Sequence, residues 1–350
     1  MKTKKTEEEF LYQKLKNVIY ENIFKGVYAN HSLIPPEREL ALRYGMSRIT
    51  VRNTLEILER EGLITRVQGR GTAVSLKTCA TRTDMGIIAL VAPNKIPFFS
   101  SFVEAFSEKA EKGGSLVLIK TQSENKNFSL EKYLYKLFVR NVRNAVLWLH
   151  DCTVSMECIA RLRGMGMNFV FFDIMHALQY GDGVCLDNQH AIESLYQVAL
   201  EQAGNSGRIA YLGWGETAIS SITEREHAFV RCSGHQSPVY HVPWAVRWNF
   251  IPYLSGFLST IEKKLPSVFI CVNSEIGIAT RKILNERGFS EVVVCCVDED
   301  HETASLGLTT IDQNLGQMAG KVMTCLKKQN HYPLAWKPRL VRIKGTLIRR

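Results

Sequence analysis

The stretch RITVRNTLEILER, from Arg48 to Arg60, carries side chains that can bind a phosphate or the edge of a base. Arg48 and Arg52 are four residues apart and therefore share one side of a helix, with Asn53 beside them. An arginine can bind guanine through two hydrogen bonds, and an asparagine can bind adenine in the same way. Such a helix can read the major groove of DNA, although a charged pair is also typical of an ordinary solvated helix face.

A second group of candidate contacts lies in the turn Gly69-Arg70-Gly71. The flanking stretches LITRVQ and TAVSL alternate between apolar and polar residues, which predicts two short strands joined at this turn. Glycine allows the backbone to turn sharply and to approach DNA closely, and Arg70 can reach a phosphate or the minor groove. We therefore expect the helix and the turn to contact the same DNA duplex at two places.

Two further helices must position that predicted recognition helix. EEFLYQKLKNVIYENIFKG places apolar residues at helical spacing, which predicts an amphipathic helix that ends at Gly26. Pro35 and Pro36 open a short helix, ERELALRYG, because proline is tolerated in the first turn of a helix. Ser47 then supplies the hydroxyl that caps the third helix. Two short helices joined by GMS are the sequence form of a helix-turn-helix.

This N-terminal segment resembles the winged helix-turn-helix of the GntR family of bacterial transcription regulators. The resemblance covers about residues 9–76 and lies in the blocks PPERELA, SRxTVR, LExEGLI and GRGT. It implies that Arg38, Arg48, Thr50 and Arg52 contact phosphates or bases and that Gly69, Arg70 and Gly71 form the wing tip. Ser47 and Asn53 of the same helix complete the predicted set of DNA-binding residues. Ile49 and Asn53 occupy variable positions of the pattern, where side chains can tune the operator sequence.

The net charge is distributed unevenly along the 350 residues. Residues 1–78 hold 14 Lys/Arg against 9 Asp/Glu (+5), residues 79–312 hold 21 against 25 (−4), and residues 313–350 hold 9 against none (+9), for a total of +10. A basic head and a mildly acidic middle favour a nucleic-acid-binding domain attached to a body with another task. The basic tail has two interpretations, a solvated helix with an edge strand or a direct DNA contact.

The N-terminus, MKTKKTEEEF, lacks the apolar run of a secretory signal, and no stretch is apolar for long enough to span a membrane. We therefore expect a cytoplasmic protein. The nine cysteines show neither CxxC spacing nor a nearby histidine cluster, so we expect reduced thiols, no metal site and no cofactor. Cys295 and Cys296 lie in the apolar run VVVCCV, which favours two buried small side chains over a redox switch.

After the polar stretch KTCATRTD, short apolar runs alternate with helix-length amphipathic stretches. The runs are MGIIALVAP, GSLVLIK, NAVLWL, NFVFFD, RIAYLGW, SVFICVN and EVVVCCVD. This alternation predicts an α/β body of parallel sheets, and its length permits two lobes. Ligands of such sheets bind beyond the carboxyl ends of the strands, which is where Asp173, Asn273 and Asp298 stand. Each of them could instead be a helix cap or a turn former.

The body resembles the effector domain of the LacI family, which is related to periplasmic sugar-binding proteins. MGIIALVAPNKIPFFSSFVEAF resembles its opening strand and NPFF segment, and VFFD, CLDN, EREHAF, ICVNSEIG, CCVDED and LGLTTIDQN follow in the family's order. The resemblance implies an effector pocket between two lobes, lined by Phe98, Phe99, Asp173, Arg225, Trp248, Asn273 and Asp298. Trp244 is the alternative to Trp248.

Three positions depart from the LacI pattern. Ile174 replaces a common Arg, Ser274 replaces a common Asp, and Ala228 replaces a Gly. Two polar ligands of the usual sugar pocket are therefore missing. The resemblance implies a sugar or sugar derivative as effector and leaves a smaller or less polar one open.

These patterns predict a head of residues 1–77, a linker of residues 78–84 and an effector-binding and dimerisation body of residues 85–350. Within the body we expect one lobe of about residues 85–175 and 313–330, and another of about residues 176–312 and 336–350. The predicted fold class is thus α/β, with a winged helix-turn-helix followed by a two-lobed, periplasmic-binding-protein-like domain of parallel sheets flanked by helices.

The predicted function is sequence-specific transcription regulation, most simply repression that a small effector relieves. We expect a homodimer because one recognition helix covers only half of a pseudo-palindromic operator. An enzyme is disfavoured because the GxSxG, P-loop and HExxH motifs are absent and the nine histidines lack ligand spacing. A transport-type binding protein is disfavoured by the attached head. Activation instead of repression stays open.

Overall fold

The computed structural model describes residues 2–67, 69–76, 85–92, 97–121, 129–149, 154–173, 178–204 and 207–350, with no side-chain detail for residues 2–10 and Pro97. The predicted linker, residues 78–84, and the departing position Ile174 lie outside the described residues. The described chain forms an N-terminal head and a body built on two sheets. Within these ranges, no helix combines the length and the apolar character that a membrane crossing requires.

The head consists of three helices and an antiparallel two-stranded wing: α1 (Lys2–Phe24), α2 (Glu37–Tyr44), α3 (Arg48–Arg60), β1 (Ile64–Val67) and β2 (Gly71–Val74). α2 ends at Gly45, whose φ of 62° is the left-handed conformation that favours glycine. On α3 the stripe Val51, Leu55 and Leu58 is buried, as its spacing predicts. The remaining surface of α3 is exposed at Arg48, Ile49, Arg52 and Asn53.

The first sheet of the body consists of six strands, β3 (Ile87–Ala92), β4 (Leu116–Thr121), β5 (Asn144–Leu147), β6 (Asn168–Phe172), β7 (Asp182–Leu186) and β13 (Leu340–Ile343). All neighbours are parallel, in the order β13-β7-β6-β5-β3-β4. Its helices are α4 (Pro97–Lys112), α5 (Leu130–Val139), α6 (Met156–Gly164) and α12 (Leu315–His331). α4 and α12 share a core on one face, and α5 and α6 share a core on the other.

The second sheet also has six strands, β8 (Ile209–Gly215), β9 (Val239–Pro243), β10 (Val268–Cys271), β11 (Val293–Val297), β12 (Thr309–Asp312) and β14 (Thr346–Ile348). Their order is β14-β12-β11-β10-β8-β9, and β14 pairs antiparallel with β12. Its helices are α7 (Asn188–Ala203), α8 (Ser220–Cys232), α9 (Ile251–Ile261), α10 (Ser274–Glu286) and α11 (His301–Ser305), and a 3-10 helix, Trp244–Asn249, precedes α9. The predicted α/β class is confirmed.

Two strands lie in the first lobe although the sequence predicts them in the second. The sequence predicts that β7 and β13 belong to the second lobe, but both pair within the first sheet. The buried carboxylate of Asp182, in β7, explains the placement because it accepts hydrogen bonds from Gln329 of α12 (2.8 Å) and from Trp336 (3.1 Å), just before β13. These bonds tie β7, α12 and the approach to β13 into one unit.

Cys295 and Cys296 are fully buried in β11. Burial raises the pKa of the Cys295 thiol to about 12, which disfavours the thiolate that redox chemistry needs. The structure therefore supports the interpretation of both residues as small core side chains.

The basic tail ends in β14, at one edge of the second sheet. Arg349 pairs with Glu201 at 2.7 Å, and Arg350 pairs with Glu299 at 2.7 Å. Because these cations already have acidic partners in the body, the tail is better explained as an edge strand than as a DNA contact.

Candidate functional site: a nucleic-acid interface and an interlobe cleft

The start of α3 is fixed by Ser47 and Thr50. Ser47 Oγ accepts a hydrogen bond from the Thr50 N–H at 3.1 Å, and the two hydroxyl oxygens lie 2.8 Å apart. Thr50 is only 7% exposed. Both residues therefore shape the helix N-terminus, and the predicted contact of Thr50 with DNA would need its hydroxyl to leave this arrangement.

Arg48, Arg52 and Asn53 are exposed on α3, on the surface that adjoins its buried stripe. Arg38, in the first turn of α2, is exposed as well. Glu37 lies 3.5 Å from an Arg52 guanidinium nitrogen, so the Arg52 side chain is oriented without being buried. The structure thus brings the predicted cations to one accessible surface of the head.

The predicted wing tip is exposed at Gly69, Arg70 and Gly71. The two glycines have φ values of 72° and 108°, which favour glycine because a side chain there is strained. The Arg70 N–H donates to the Val67 carbonyl oxygen at 2.9 Å and closes the turn. The arginine side chain therefore stands at the tip of a short, defined hairpin.

Sequence reasoning missed a brace between the wing and α3. Arg66 of β1 lies 3.4 Å from Glu59 and 3.7 Å from Glu56, both on α3. The Arg66 N–H also donates to Glu59 at 3.2 Å. These exposed contacts set the angle between the helix and the wing rather than adding much stability. No local sequence pattern predicts this brace. Arg66 lies seven and ten residues from the two glutamates, and it belongs to a strand while they belong to a helix.

In the body, four aromatic rings, those of Phe98, Phe99, Trp148 and Phe172, pack together beside Asp173. Phe99 packs edge-on against Trp148 with centroids 4.7 Å apart, and Phe98 stacks on Phe172 at 5.9 Å. Trp148 Nε1 donates to Asp173 Oδ2 at 3.1 Å. The structure therefore brings the predicted Phe98 and Phe99 next to the predicted Asp173, and Trp148 joins them as a residue that the sequence did not indicate.

Asp173 lies at the junction of the lobes. It follows β6 with a φ of 61°, is 8% exposed, and accepts a 3.4 Å hydrogen bond from Ser221 of α8 in the other lobe. Burial raises the pKa of its carboxyl, and the positive charge of Arg225 opposes that rise. Asp173 Oδ1 is buried with no hydrogen-bond partner among the described residues, which suits a carboxylate that binds a ligand.

Arg225 of α8 is buried and approaches the end of β10. Its Nε donates to Asn188 Oδ1 at 2.8 Å, and its Nη1 donates to the Val272 carbonyl oxygen at 2.9 Å. Asn188, which is 1% exposed, also donates to Glu224 at 2.9 Å. Asn188 belongs to the CLDN block, but nothing in its spacing indicated that it orients Arg225.

Asn273 and Asp298 both follow strand ends, as predicted, and both already have partners. Asn273 Oδ1 caps α10 by accepting from the Ile276 N–H at 3.2 Å. Asp298 has a φ of 79° and accepts a hydrogen bond from Gln313 Nε2. Gln313 Oε1 is buried without a partner in the described part of the chain, so Gln313 joins the candidate set.

Trp248 does not lie with the other predicted pocket residues. It is 59% exposed, whereas Trp244 packs edge-on against the buried Trp214 at 5.4 Å. Both tryptophans lie in a 3-10 helix, in which residues four apart are rotated by about 120°, so they face different directions. The guanidinium of Arg247 lies over both rings, at 4.7 and 4.9 Å. Trp244, the alternative, is the better pocket candidate.

A cavity of about 470 Å³ lies at the carboxyl ends of β8 and β9. Its walls include Trp214, Glu216, Ile222, Thr223, Glu226 and Tyr253. His241 Nε2 lies 2.8 Å from Glu226 Oε2 at its edge. The cavity offers aromatic faces, hydroxyls and carboxylates to a ligand, and none of its residues belongs to the predicted pocket.

The head matches a known family of regulatory proteins. Residues 11–74 match the sequence model of the family described as bacterial regulatory proteins, gntR family. The match runs from α1 to the end of β2 and so includes the capped helix and the wing.

A curated relative extends the similarity into the body. The arabinose metabolism transcriptional repressor of Geobacillus stearothermophilus is 25% identical over 292 residues, which cover 80% of this chain and 78% of that protein. The aligned length exceeds that of the head, so the sequence similarity extends into the body.

Solved structures show the fold of the body. The trehalose repressor from Escherichia coli has 17% identity and a TM-score of 0.61, and covers 76% of this chain and 100% of its own. A LacI family transcriptional regulator from Enterococcus faecium with bound ribose has 17% identity and a TM-score of 0.62, and covers 75% of this chain and 97% of its own. The prediction of a GntR-type head is confirmed, and the body has the predicted fold, which it shares with LacI-family regulators.

Proposed function

We propose that this chain, in which a gntR-family DNA-binding domain precedes a LacI-type two-lobed body, is a bacterial transcription regulator. It binds a pseudo-palindromic operator as a homodimer and leaves it when a small molecule binds between the lobes. This makes it a cytoplasmic repressor that works by binding and not by turnover. The observation that carries the proposal is the exposed cationic surface of the capped helix α3 beside the glycine-tipped wing.

The proposed DNA contacts divide by chemistry. Arg48, Arg52 and Asn53 project from α3 and can reach base edges in the major groove. Arg38 and Arg70 lie to either side and suit phosphates or the minor groove. Exposed Ile49 (71% exposed) can contact a thymine methyl group.

The proposed effector is a sugar or sugar derivative. Asp173 and Asp298 can accept hydrogen bonds from hydroxyl groups, and the rings of Phe98 and Trp244 can cover the apolar face of a sugar. Arabinose, trehalose and ribose in the names of the similar proteins support this class. Because Ile174 and Ser274 replace the common Arg and Asp, we expect fewer polar contacts than a typical sugar pocket makes.

The proposed homodimer is supported by apolar side chains that the single chain leaves exposed. Leu116, Leu118 and Ile119 are 66%, 43% and 47% exposed on β4, an edge strand of the first sheet. In the second lobe, Ile251 and Tyr253 of α9 are 55% and 43% exposed. Exposed apolar patches of this kind mark protein interfaces, and one in each lobe suits a two-fold partner.

A gel-shift titration tests the proposal, with a DNA fragment from upstream of the protein's own gene. The parent should shift the fragment, and Arg52→Ala should bind about 5- to 150-fold more weakly if Arg52 reads a base. Arg60→Ala is the matched control, because Arg60 is exposed at the other end of the same helix. Equal binding by the parent and Arg52→Ala would remove α3 from the interface.

A further inference from the structure

We infer that the head is docked on the first lobe through α1, and that this docking positions the recognition helix for DNA rather than masking it. The inference rests on the proposed DNA-binding function and adds an interaction surface within the chain. We call this surface the α1–α5 contact, and it consists of Asn17, Tyr20 and Phe24 of α1 with Tyr135 and Phe138 of α5.

The α1–α5 contact is built from aromatic pairs. Tyr20 meets Phe138 edge-on with centroids 4.9 Å apart, and Phe24 stacks on Tyr135 at 4.5 Å with the ring planes 21° apart. Tyr135 Oη donates to the Asn17 carbonyl oxygen at 3.4 Å. Aromatic pairs in such geometries add stabilisation beyond the area that they bury. The contact is therefore specific in its geometry.

The same helix also serves the core of the head. Leu15, Ile19 and Ile23 are 0%, 1% and 0% exposed and pack with α3. The apolar residues of the head and those of α5 and α6 form one continuous cluster. α1 thus belongs to two cores at once, which is more than a flexibly tethered DNA-binding domain needs.

A single glycine allows a second point of approach between the head and the first lobe, at α6. A side chain on Gly164, the last residue of α6, would place its Cβ 3.0 Å from Leu76 Cβ. Leu76 follows β2 at the end of the head, and its N–H donates to Asn30 Oδ1 at 2.9 Å. The absence of a side chain at Gly164 therefore lets the end of the wing region lie against the first lobe.

The docking surface is linked to the recognition helix through Glu61. Glu61 is the C-cap of α3 and accepts hydrogen bonds from Tyr20 Oη and, at 2.6 Å, from Lys16 Nζ. The Tyr20 side chain therefore contacts Phe138 of the body with its ring and the end of α3 with its hydroxyl. A change in the position of α5 would move the end of the recognition helix.

The DNA-facing residues remain accessible while the head is docked. Arg48, Arg52, Asn53 and Arg70 are exposed in the presence of the body. Docking therefore uses the side of the head that faces away from the proposed DNA contacts. A head held in this way loses less freedom on binding an operator than a mobile one, and such preorganisation raises affinity.

The α1–α5 contact also connects to the proposed effector cleft. Arg143 stacks on the Phe138 ring at 3.9 Å and directly precedes β5. At the other end of β5, Trp148 donates to Asp173 at 3.1 Å. One short strand thus lies between the docking surface and the cleft, so the head should move with the first lobe.

The test is the full-length variant Tyr135→Ala, which removes one body ring from the α1–α5 contact and leaves the head sequence unchanged. Hydrogen exchange of peptides from α1 should rise, exchange of α3 should change little, and operator affinity should fall about tenfold. Gly164→Leu, which forces Leu76 away from α6, should give the same pattern from another element. Tyr133→Ala is the matched control, because this half-buried tyrosine of α5 lies beside Lys120 of β4 instead.

The outcomes separate the inference from the proposed function. Unchanged α1 exchange in both Tyr135→Ala and Gly164→Leu would overturn the docking. Raised exchange with equal or tighter operator binding would overturn the positioning role and indicate a masked head instead. If the parent itself bound no operator, the proposed function would fail, and the exchange measurement would still decide the docking.

Discussion

The head and the cleft hold their functional side chains in opposite ways. Arg48 and Arg52 project into solvent from one short helix whose start is set by the adjacent Ser47. Asp173 and Arg225 are 8% and 4% exposed, and each is held by residues distant in the sequence. An exposed cation can be removed at little cost to folding, whereas removal of a buried group leaves its partner unsatisfied. Substitutions in the head should therefore change DNA affinity alone, and those in the cleft should change effector response or stability.

The largest effect is expected from the double variant Arg48→Ala/Arg52→Ala. Each lost base contact costs about 1–3 kcal/mol, so operator affinity should fall about a hundredfold or more. The heat stability of the body should not change, because both side chains are solvent-exposed. Fluorescence anisotropy on a labelled operator and thermal unfolding check the two statements.

The control for this experiment is Arg43→Ala/Arg60→Ala, which removes the same charge from exposed positions of α2 and α3. It should bind the operator much more tightly than the first double variant. Equal losses in the two proteins would mean that only net charge matters, and the recognition surface would have to be placed elsewhere.

A somewhat smaller effect is expected in the cleft from Asp298→Ala. The lost carboxylate leaves Gln313 without its acceptor and the effector without a partner, which costs about 1–3 kcal/mol. About ten- to a hundredfold more effector should then be needed to release the operator. Operator affinity without effector should stay near that of the parent, because the head is untouched.

Glu302→Ala is the control for Asp298→Ala, since Glu302 is an exposed carboxylate that pairs with Lys282 on the surface. A normal effector response in Asp298→Ala would remove this residue from the pocket. Loss of both effector response and DNA binding would indicate a structural role for Asp298.

A smaller effect is expected at the wing from Arg70→Ala. As a contact with phosphate, Arg70 should contribute about equally on every sequence, so specific and non-specific affinity should both fall roughly threefold to tenfold. The slope of log affinity against log salt should flatten by about 0.9. A loss confined to the specific operator, with an unchanged salt slope, would assign Arg70 to base reading instead.

The smallest effect is expected in stability, from Asp173→Asn. Burial raises the pKa of Asp173 in the folded protein above the pKa of the same group in the unfolded chain. The free energy of unfolding therefore falls as pH rises from the unfolded pKa to the folded pKa. Without effector, Asp173→Asn lacks this loss, and its Tm at pH 7 should exceed that of the parent by about 2–4 °C. The difference should disappear near pH 4, where the parent carboxyl is neutral. A variant that is less stable than the parent at pH 7 would contradict the assignment.

The same contrast between the two regions explains how much could be predicted from the sequence. The cap at Ser47, the stripe with Val51 and the turn at Gly69 each depend on neighbours within a few residues, so local patterns were sufficient. The cleft depends on contacts between distant strand ends. Asn188 and Gln313 lay inside recognised blocks, but no local pattern distinguishes a polar residue that faces a cleft from one that caps a helix.

Three other features could not be predicted for related reasons. An apolar run does not identify its neighbours, so sequence patterns place β7 and β13 in the wrong lobe. The turn of the 3-10 helix, which points Trp244 inward and exposes Trp248, has no clear sequence signal. Tyr135 is typical of the apolar side of a surface helix, and only the structure reveals that it contacts the head.

The central claim is that the head binds DNA and the cleft binds an effector at two separate sites, and that binding at one site changes affinity at the other. The most direct test is to find sugars that raise the Tm of the full-length protein and to titrate each into its complex with labelled operator. We predict that at least one sugar that stabilises the protein also lowers operator affinity about tenfold or more, a coupling of about 1.4 kcal/mol. The claim is contradicted if every stabilising sugar leaves operator affinity unchanged.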